Sequence, residues 1–321
     1  MNDLRVMTRP AWFAYVEIAR LDHWFKQVFC LPGVVLAVAL ADRSFTLAAL
    51  WNIFLALWAT CLVASSNYVL NEILDAPQDR SHPDKRTRPV PAGRVSIPVA
   101  YLEWLILGVA GFGLAWFINR PFFVCAAWLW VMGLIYNVPP IRAKELPVLD
   151  VLCESINNPI RLLLGWYAMG ANYLAPASLI AAYWMVGAYF MAAKRFAEYR
   201  HINDKAAATA YRRSFRWYNE TRLIALQVFY VSCFSMMLGV FLEKYRVELL
   251  VMVPFIAAVI MIYWHLSLKT DSPVQNPERL YKERRLMIAC FLTAIVGVAA
   301  LRYDLPWMSA LFEIKPPTPL H

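Results

Sequence analysis

Nine long apolar runs constrain this chain more than any other feature of it. They fall at about 24–41, 46–72, 97–117, 121–137, 149–170, 174–194, 221–242, 246–268 and 284–301. A bilayer's hydrocarbon core is about 30 Å thick, and a helix needs roughly 20 apolar residues to cross it. The runs are continuous rather than alternating, which predicts helices and not barrel strands. Composition agrees: 60% of the 321 residues are hydrophobic and 17% are charged, where soluble domains carry about a quarter charged residues. The predicted fold class is an all-α integral membrane protein, a nine-transmembrane-helix bundle forming a single membrane-embedded domain over residues 1–321. Ala39-Leu40-Ala41 looks like a cleavage site, but the stretch before the apolar core is too long and too acidic for a signal peptide. The six cysteines all fall within the runs without paired spacing, as small buried apolar residues do.

Lysine and arginine set the expected orientation. With the N-terminus in the cytosol, the inside segments hold 22 of these residues and the outside segments hold 6. The net charge of +9 is then a property of the cytosolic face. It suits anionic headgroups or phosphorylated substrates, and nucleic acid is not needed to explain it. The expected location is a bacterial plasma membrane, with loops at about 73–96, 138–148 and 195–220 forming a cytoplasmic active site.

The second run leaves the apolar segment in "NYVLNEILDAPQDRSHPDKRTRP". Asn67, Asn71 and Asp75 recur every four residues and so share one helix face. Pro77 predicts a helix end near Ala76, with Asp79 on the loop beyond and free to fold back towards Asp75. Acids at a helix end often only face water. Asn67 and Asn71 lie deeper, where uncompensated polar groups are costly and usually functional. Two carboxylates and an amide oxygen suit Mg²⁺, which takes one or two carboxylates plus substrate phosphates and water. Arg80, Lys85, Arg86, Arg88 and Arg94 follow at once. Acids and bases interleaved in this way are what a metal–diphosphate site requires.

A second polar cluster, "AKRFAEYR", ends the sixth run. Lys194 and Glu198 are four apart with Arg195 beside them, either as a snorkelling lysine in a helical salt bridge or as another wall of the same site. In the fifth run Asp150, Glu154 and Asn158 are spaced by four, with Arg161 three further on. Spacing leaves open whether Arg161 is neutralised by these residues or meets substrate. Arg20, Trp24 and Lys26 stand where belt aromatics and snorkelling bases are usual. No histidine pair has metal-ligand spacing, and no P-loop, dinucleotide fingerprint or nucleophile elbow is present.

The Asn71/Asp75/Asp79 motif at the end of a second span, within nine helices, resembles the UbiA superfamily of intramembrane transferases. "YNVPPIRAK" (Tyr136 to Lys144) looks like that family's short connector after the fourth span. Prenyltransferases of the family carry a second aspartate-rich motif after the sixth span, where this chain has Lys194-Arg195-Phe196-Ala197-Glu198. That stretch, with Arg20, Trp24, Lys26, "DRSHPDKRTRP", Asp150 and Arg161, is similar to the decaprenyl-phosphate phosphoribosyltransferase branch. Glu72 stands where the family often has aspartate, and Gln27 where it has asparagine.

The resemblance implies Mg²⁺-dependent transfer of a 5-phosphoribosyl group from phosphoribosyl diphosphate to a polyprenyl phosphate. Asn71, Asp75 and Asp79 would hold the metal. Lys85 and Arg86, with Asp75, Asp79 and Lys194, would carry the catalytic roles. Lys26, Asn67, Arg80, Arg88, Asp150, Arg161, Arg195 and Glu198 would bind substrate. The alternative enzyme is a prenyltransferase using a prenyl diphosphate. A transporter of anionic lipids is the reading from another class; it predicts polar groups along a path and internal repeats, and neither is evident. Expected partners are the two substrates, the lipid bilayer and a second copy of the chain.

Overall fold

The computed structural model describes residues 10–80 and 85–312, and among them every regular element is a helix. The chain forms two compact units. The first comprises residues up to Val34 together with Ser44–Gly170, and the second comprises Val35–Arg43 together with the chain from Ala171 onward.

The first unit opens with α1 (Ala11–Ile18) and a 3₁₀ segment, Leu21–Cys30, before α2 (Leu31–Leu40), whose residues from Val35 onward belong to the second unit. It continues through α3 (Leu47–Asp79), α4 (Ile97–Ile118), α5 (Arg120–Asn137), α6 (Leu149–Ser155) and α7 (Asn157–Ala168). Thr46 starts α3 by accepting the Ala49 N–H at 3.1 Å, satisfying one of the free donors at a helix N-terminus. Asn119 does the same for Phe122 at 2.9 Å, and its amide reaches the Tyr167 carbonyl at 2.8 Å. One side chain thus begins α5 and fastens it to the end of α7. The loop after α3 folds back on the unit: Val90 is buried with Ile18, Val69 and Ile73, and Arg94 clamps Glu17 of α1 through two contacts of 3.0 and 3.1 Å. Glu72 braces this loop by accepting the Val90 N–H at 3.1 Å.

The second unit contains α8 (Ala177–Ile202), α9 (Lys205–Tyr211), α10 (Glu220–Tyr245), α11 (Val253–Ser267), α12 (Arg284–Arg302) and α13 (Pro306–Phe312). Helices α8 and α10 pack most extensively. The Tyr189 hydroxyl of α8 donates to the Ile260 carbonyl of α11 at 3.1 Å. Asn203, in the left-handed region at φ 49°, ends α8, as asparagine does when glycine is absent.

Six helical segments are long and apolar enough to cross a bilayer: Ala11–Leu40, Leu47–Asp79, Ile97–Ile118, Glu220–Tyr245, Val247–Ser267 and Arg284–Arg302. The other three expected spans coincide with α5, with α6 and α7, and with α8. Arg120 and Asn137 close the two ends of α5, and Lys194 and Arg195 end the apolar stretch of α8, whose helix continues to Ile202. The fifth expected span is two helices, because Pro159 lacks the N–H that would bond to the Ser155 carbonyl. Large apolar side chains such as Trp116, Phe117, Phe229 and Phe291 are exposed on the outer faces, as lipid-facing residues must be.

Pro77 does not end α3. The helix runs through it to Asp79, and the Arg80 N–H closes the last turn on the Ala76 carbonyl at 3.1 Å. A proline this near the C-terminus deprives one carbonyl, that of Ile73, and the remaining turn forms without it. Asp79 therefore sits on the helix rather than on a loop.

Candidate functional site

One turn separates Asn67, Asn71, Asp75 and Asp79 from each other along α3, and their environments differ step by step. Asn67 is deepest. Its amide N–H donates to the Leu129 carbonyl of α5 at 2.9 Å, and its buried Oδ1 has no partner. It fits there because residue 133 is glycine: a Cβ at Gly133 would lie 2.2 Å from that oxygen.

Asn71 and Asp75 converge on one cation. The Lys144 ammonium, from the connector after α5, contacts Asp75 Oδ1, Asn71 Oδ1 at 3.3 Å and Asn137 Oδ1 at 2.9 Å. Arg142 adds a second positive charge at 2.9 Å from Asp75, also bonds Gln78 at 2.9 Å and pairs with Glu145 at 2.6 Å. Buried carboxylates are tolerated only with such partners. Asp79, 5% exposed, does not fold back to Asp75 but pairs with Arg88 at 2.7 Å.

Above this cluster lies a cavity of about 100 Å³, lined by Asn67, Asn71, Tyr136, Glu154, Asn157 and Arg161 among others. The break between α6 and α7 supplies three of these. The Tyr136 hydroxyl donates to Glu154 at 3.0 Å, and the Asn157 amide donates to the Glu154 carbonyl at 3.2 Å, while Asn157 Oδ1 is buried without a partner. Lys26 approaches through Tyr68, whose ring lies 5.6 Å from its ammonium and also lines the cavity. Lys85 is half-buried in the turn Lys85–Thr87, and Arg80 and Arg86 are exposed. Asp150 is fully buried in the first turn of α6 but does not line the cavity. Residues 81–84 of the "DRSHPDKRTRP" segment lie outside the described residues.

Lys194, Arg195 and Glu198 lie on α8 in the second unit. Glu198 forms an ion pair with Arg195 at 2.7 Å, and both members are buried. They lie past the apolar part of α8. Burial alone would push the Glu198 carboxyl up, yet Arg195, Lys194 and Arg212 together hold it below the usual carboxylate value.

The donor set suits Mg²⁺. The Lys144 ammonium takes the point on which the Asn71 and Asp75 oxygens converge, so a metal ion held by them would displace that ammonium. Among the described residues no three His, Cys, Asp or Glu side chains cluster as ligands. A cation that completes its octahedron with substrate phosphates and water needs no more than one or two carboxylates.

With this geometry in place, comparison with known proteins decides the family. The sequence profile of the UbiA prenyltransferase family matches residues 29–288. The chain belongs to that family. It is 30% identical over 209 residues to a decaprenyl-phosphate phosphoribosyltransferase of Mycobacterium tuberculosis, covering 65% of this chain and 67% of that one. It is 31% identical over 207 residues to the nodulation protein NoeC of Azorhizobium caulinodans, covering 64% and 63%. The fold matches a UbiA homolog from Archaeoglobus fulgidus bound to DMAPP and Mg²⁺, at TM-score 0.68 and 22% identity over 90% of this chain and 99% of that one. This UbiA member is a multi-pass membrane transferase.

Arg142, Lys144, Asn137 and Asn157 are the site residues that sequence reading passed over. The available signal was a pair of bases in a short proline-rich connector, Arg142 and Lys144, on a face otherwise rich in explained charge.

Proposed function

We propose that this chain transfers a 5-phosphoribosyl group from phosphoribosyl diphosphate to a polyprenyl phosphate, releasing diphosphate. The observation that carries the reading is the cavity wall, where Asn67 and Asn157 leave amide oxygens buried and unpartnered beside Glu154. Hydroxyl donors satisfy such acceptors. A ribose has them and an isoprenoid chain does not; an isoprenoid there would leave each acceptor unpaired at a cost of about 1–3 kcal/mol. The similarity to the decaprenyl-phosphate phosphoribosyltransferases supports the same donor.

Asn71 and Asp75, with Asp79 a turn away, would hold Mg²⁺, which when bound supplies charge neutralisation for the diphosphate oxygens. Lys144, held by oxygens of Asn71, Asp75 and Asn137, is a preorganised ammonium next to two residues of the cavity wall, Asn71 and Asn137. Lys85, Arg86 and Arg88 follow α3 and are assigned to the leaving charge. As the C1–O bond breaks, the diphosphate departs with its electron pair, and an oxygen of the acceptor phosphate forms the new bond to C1. That phosphate is already ionised at neutral pH, so no general base is needed. Lys194 and Arg195 are assigned to a substrate phosphate, with Glu198 orienting Arg195. The lysine and arginine bias supports a cytoplasmic site.

The test uses the purified full chain in nanodiscs with Mg²⁺, polyprenyl phosphate and radiolabelled phosphoribosyl diphosphate. Labelled lipid and diphosphate should appear in equal amounts. Transfer from a prenyl diphosphate to an aromatic acceptor, with none from phosphoribosyl diphosphate, would make the chain a prenyltransferase. Flux without product would make it a transporter.

A further inference from the structure

Helix α12 has two unlike faces. Leu286, Gly297 and Ala300 are buried, and a Cβ at Gly297 would press on the Met252 side chain at 2.8 Å. On the other side Ile288, Phe291, Ile295 and Val298 are 48%, 66%, 49% and 55% exposed. Spacings of three and four draw these residues into one stripe along the helix. Arg284 and Arg302, four residues before it and four after it, are exposed at its two ends. The 18 steps from one arginine to the other rise about 27 Å, close to the thickness of a hydrocarbon core. The stripe therefore faces acyl chains, and Arg284 stands at the level of the headgroups.

At the Arg284 end the charge has one sign. A 3₁₀ turn, Pro277–Lys282, leads through Glu283 into the helix, and Arg279, Lys282, Arg284 and Arg285 are all exposed. Among the described residues none of the four has a carboxylate partner; Glu283, which lies between them, is 3.6 Å from Lys269 instead. Tyr281 is 67% exposed, and the Lys282 ammonium lies 5.7 Å from the centre of its ring. Such a ring, apolar in body and polar at its tip, suits the boundary between headgroups and acyl chains. Exposed bases gathered immediately outside a membrane span attract anionic lipid, each contributing separately.

We propose that this patch is a binding site for an anionic phospholipid of the leaflet it meets, the cytosolic one by the lysine and arginine bias. The lipid phosphate lies among Arg279, Lys282, Arg284 and Arg285, and an acyl chain runs along Ile288 and Phe291. The site stands whichever diphosphate the enzyme uses. A second copy of the chain is the poorer occupant. Helices approach each other in a bilayer through small residues, and this stripe is Ile, Phe, Ile and Val. A two-fold contact along it would also set Arg284 against its own copy.

The test uses the full chain in nanodiscs of equal phosphatidylglycerol and phosphatidylcholine, with native mass spectrometry counting the lipids that stay bound on release. Wild type should retain phosphatidylglycerol in preference. Arg284→Gln together with Arg285→Gln should cut that preference about thirty-fold, the scale of two bases beside an anionic headgroup. Arg284→Lys with Arg285→Lys, which keeps the charge, should preserve it. Arg279→Gln with Lys282→Gln, outside the helix, should lose it as the first pair does while leaving the packing of α12 untouched. An unchanged Tm in pure phosphatidylcholine reports that each variant is folded. Lys244→Gln removes an exposed base at the far end of α10 and should change nothing. Equal retention of the two lipids by wild type, a preference that survives both glutamine pairs, or an equal loss in Lys244→Gln would overturn the proposal. So would displacement of phosphatidylglycerol by equimolar polyprenyl phosphate, which would give the patch to the acceptor instead of the bilayer.

Discussion

Lys144 places its ammonium against the carboxylate of Asp75, 69 residues earlier in the chain. This pair ties the connector after α5 to the polar face of α3. It also fixes a buried cation, 6% exposed, on Asn71 and Asn137, two residues that line the cavity. Much of what the site is expected to do turns on that contact.

Asp75→Ala removes the shared counter-ion of Lys144 and Arg142. Turnover and Mg²⁺-dependent donor binding should be lost while membrane insertion is retained. Lys144 and Arg142 lose a shared carboxylate while Arg142 keeps Glu145, so stability should fall by about 3 kcal/mol, the low end for a broken buried pair. Asp75→Asn, which keeps the shape, should lose activity with a smaller drop in Tm. Wild-type rates in either variant would remove Asp75 from the site.

Lys144→Met should lower kcat/KM by about 10²-fold, the scale of a lost preorganised charge. Lys144→Arg should not restore it. Three oxygens gathered around one point fit a compact ammonium, and a planar guanidinium cannot meet them all. Steady-state kinetics on both variants distinguishes this from a requirement for positive charge alone.

Asn67→Leu replaces an unpartnered acceptor in the cavity wall with apolar surface. Phosphoribosyl diphosphate should bind about ten-fold more weakly, the value of one hydrogen bond to a polyol. Isothermal titration reads this directly, and unchanged affinity would take the sugar out of this cavity.

Much of this architecture is legible in the sequence, and what escapes is what depends on distant neighbours. Apolar runs predict helices because the bilayer leaves the backbone few alternatives. The four-residue spacing of Asn71 and Asp75 suffices to put them on one face. Pro77 misleads because a proline in a last turn costs little. The fifth run hides its break, since Pro159 reads equally well as a kink or a terminus. The Arg195–Glu198 pair is not legible from spacing, since separations of three and four are equally good on a helix. Arg142 and Lys144 escape because nothing local links them to residues more than sixty positions away.

Glu198 offers a pH dependence. Its carboxyl is held below the ordinary value of 4.5, so the Arg195–Glu198 pair contributes stability that is full above that value. The contribution fades as pH falls through the lowered folded pKa. Glu198→Gln leaves Arg195 buried without its acid and should cost about 3–5 kcal/mol near neutrality. The gap in Tm between wild type and variant should narrow on acidification below about pH 4.5. A gap independent of pH would contradict a charged pair.

The most direct measurement is a cryo-EM map of the full chain in nanodiscs with Mg²⁺ and equal concentrations of phosphoribosyl diphosphate and a prenyl diphosphate. The account predicts a ribose ring between Asn67 and Asn157, with its diphosphate towards Asn71 and Asp75. An isoprenoid chain filling that cavity would contradict it.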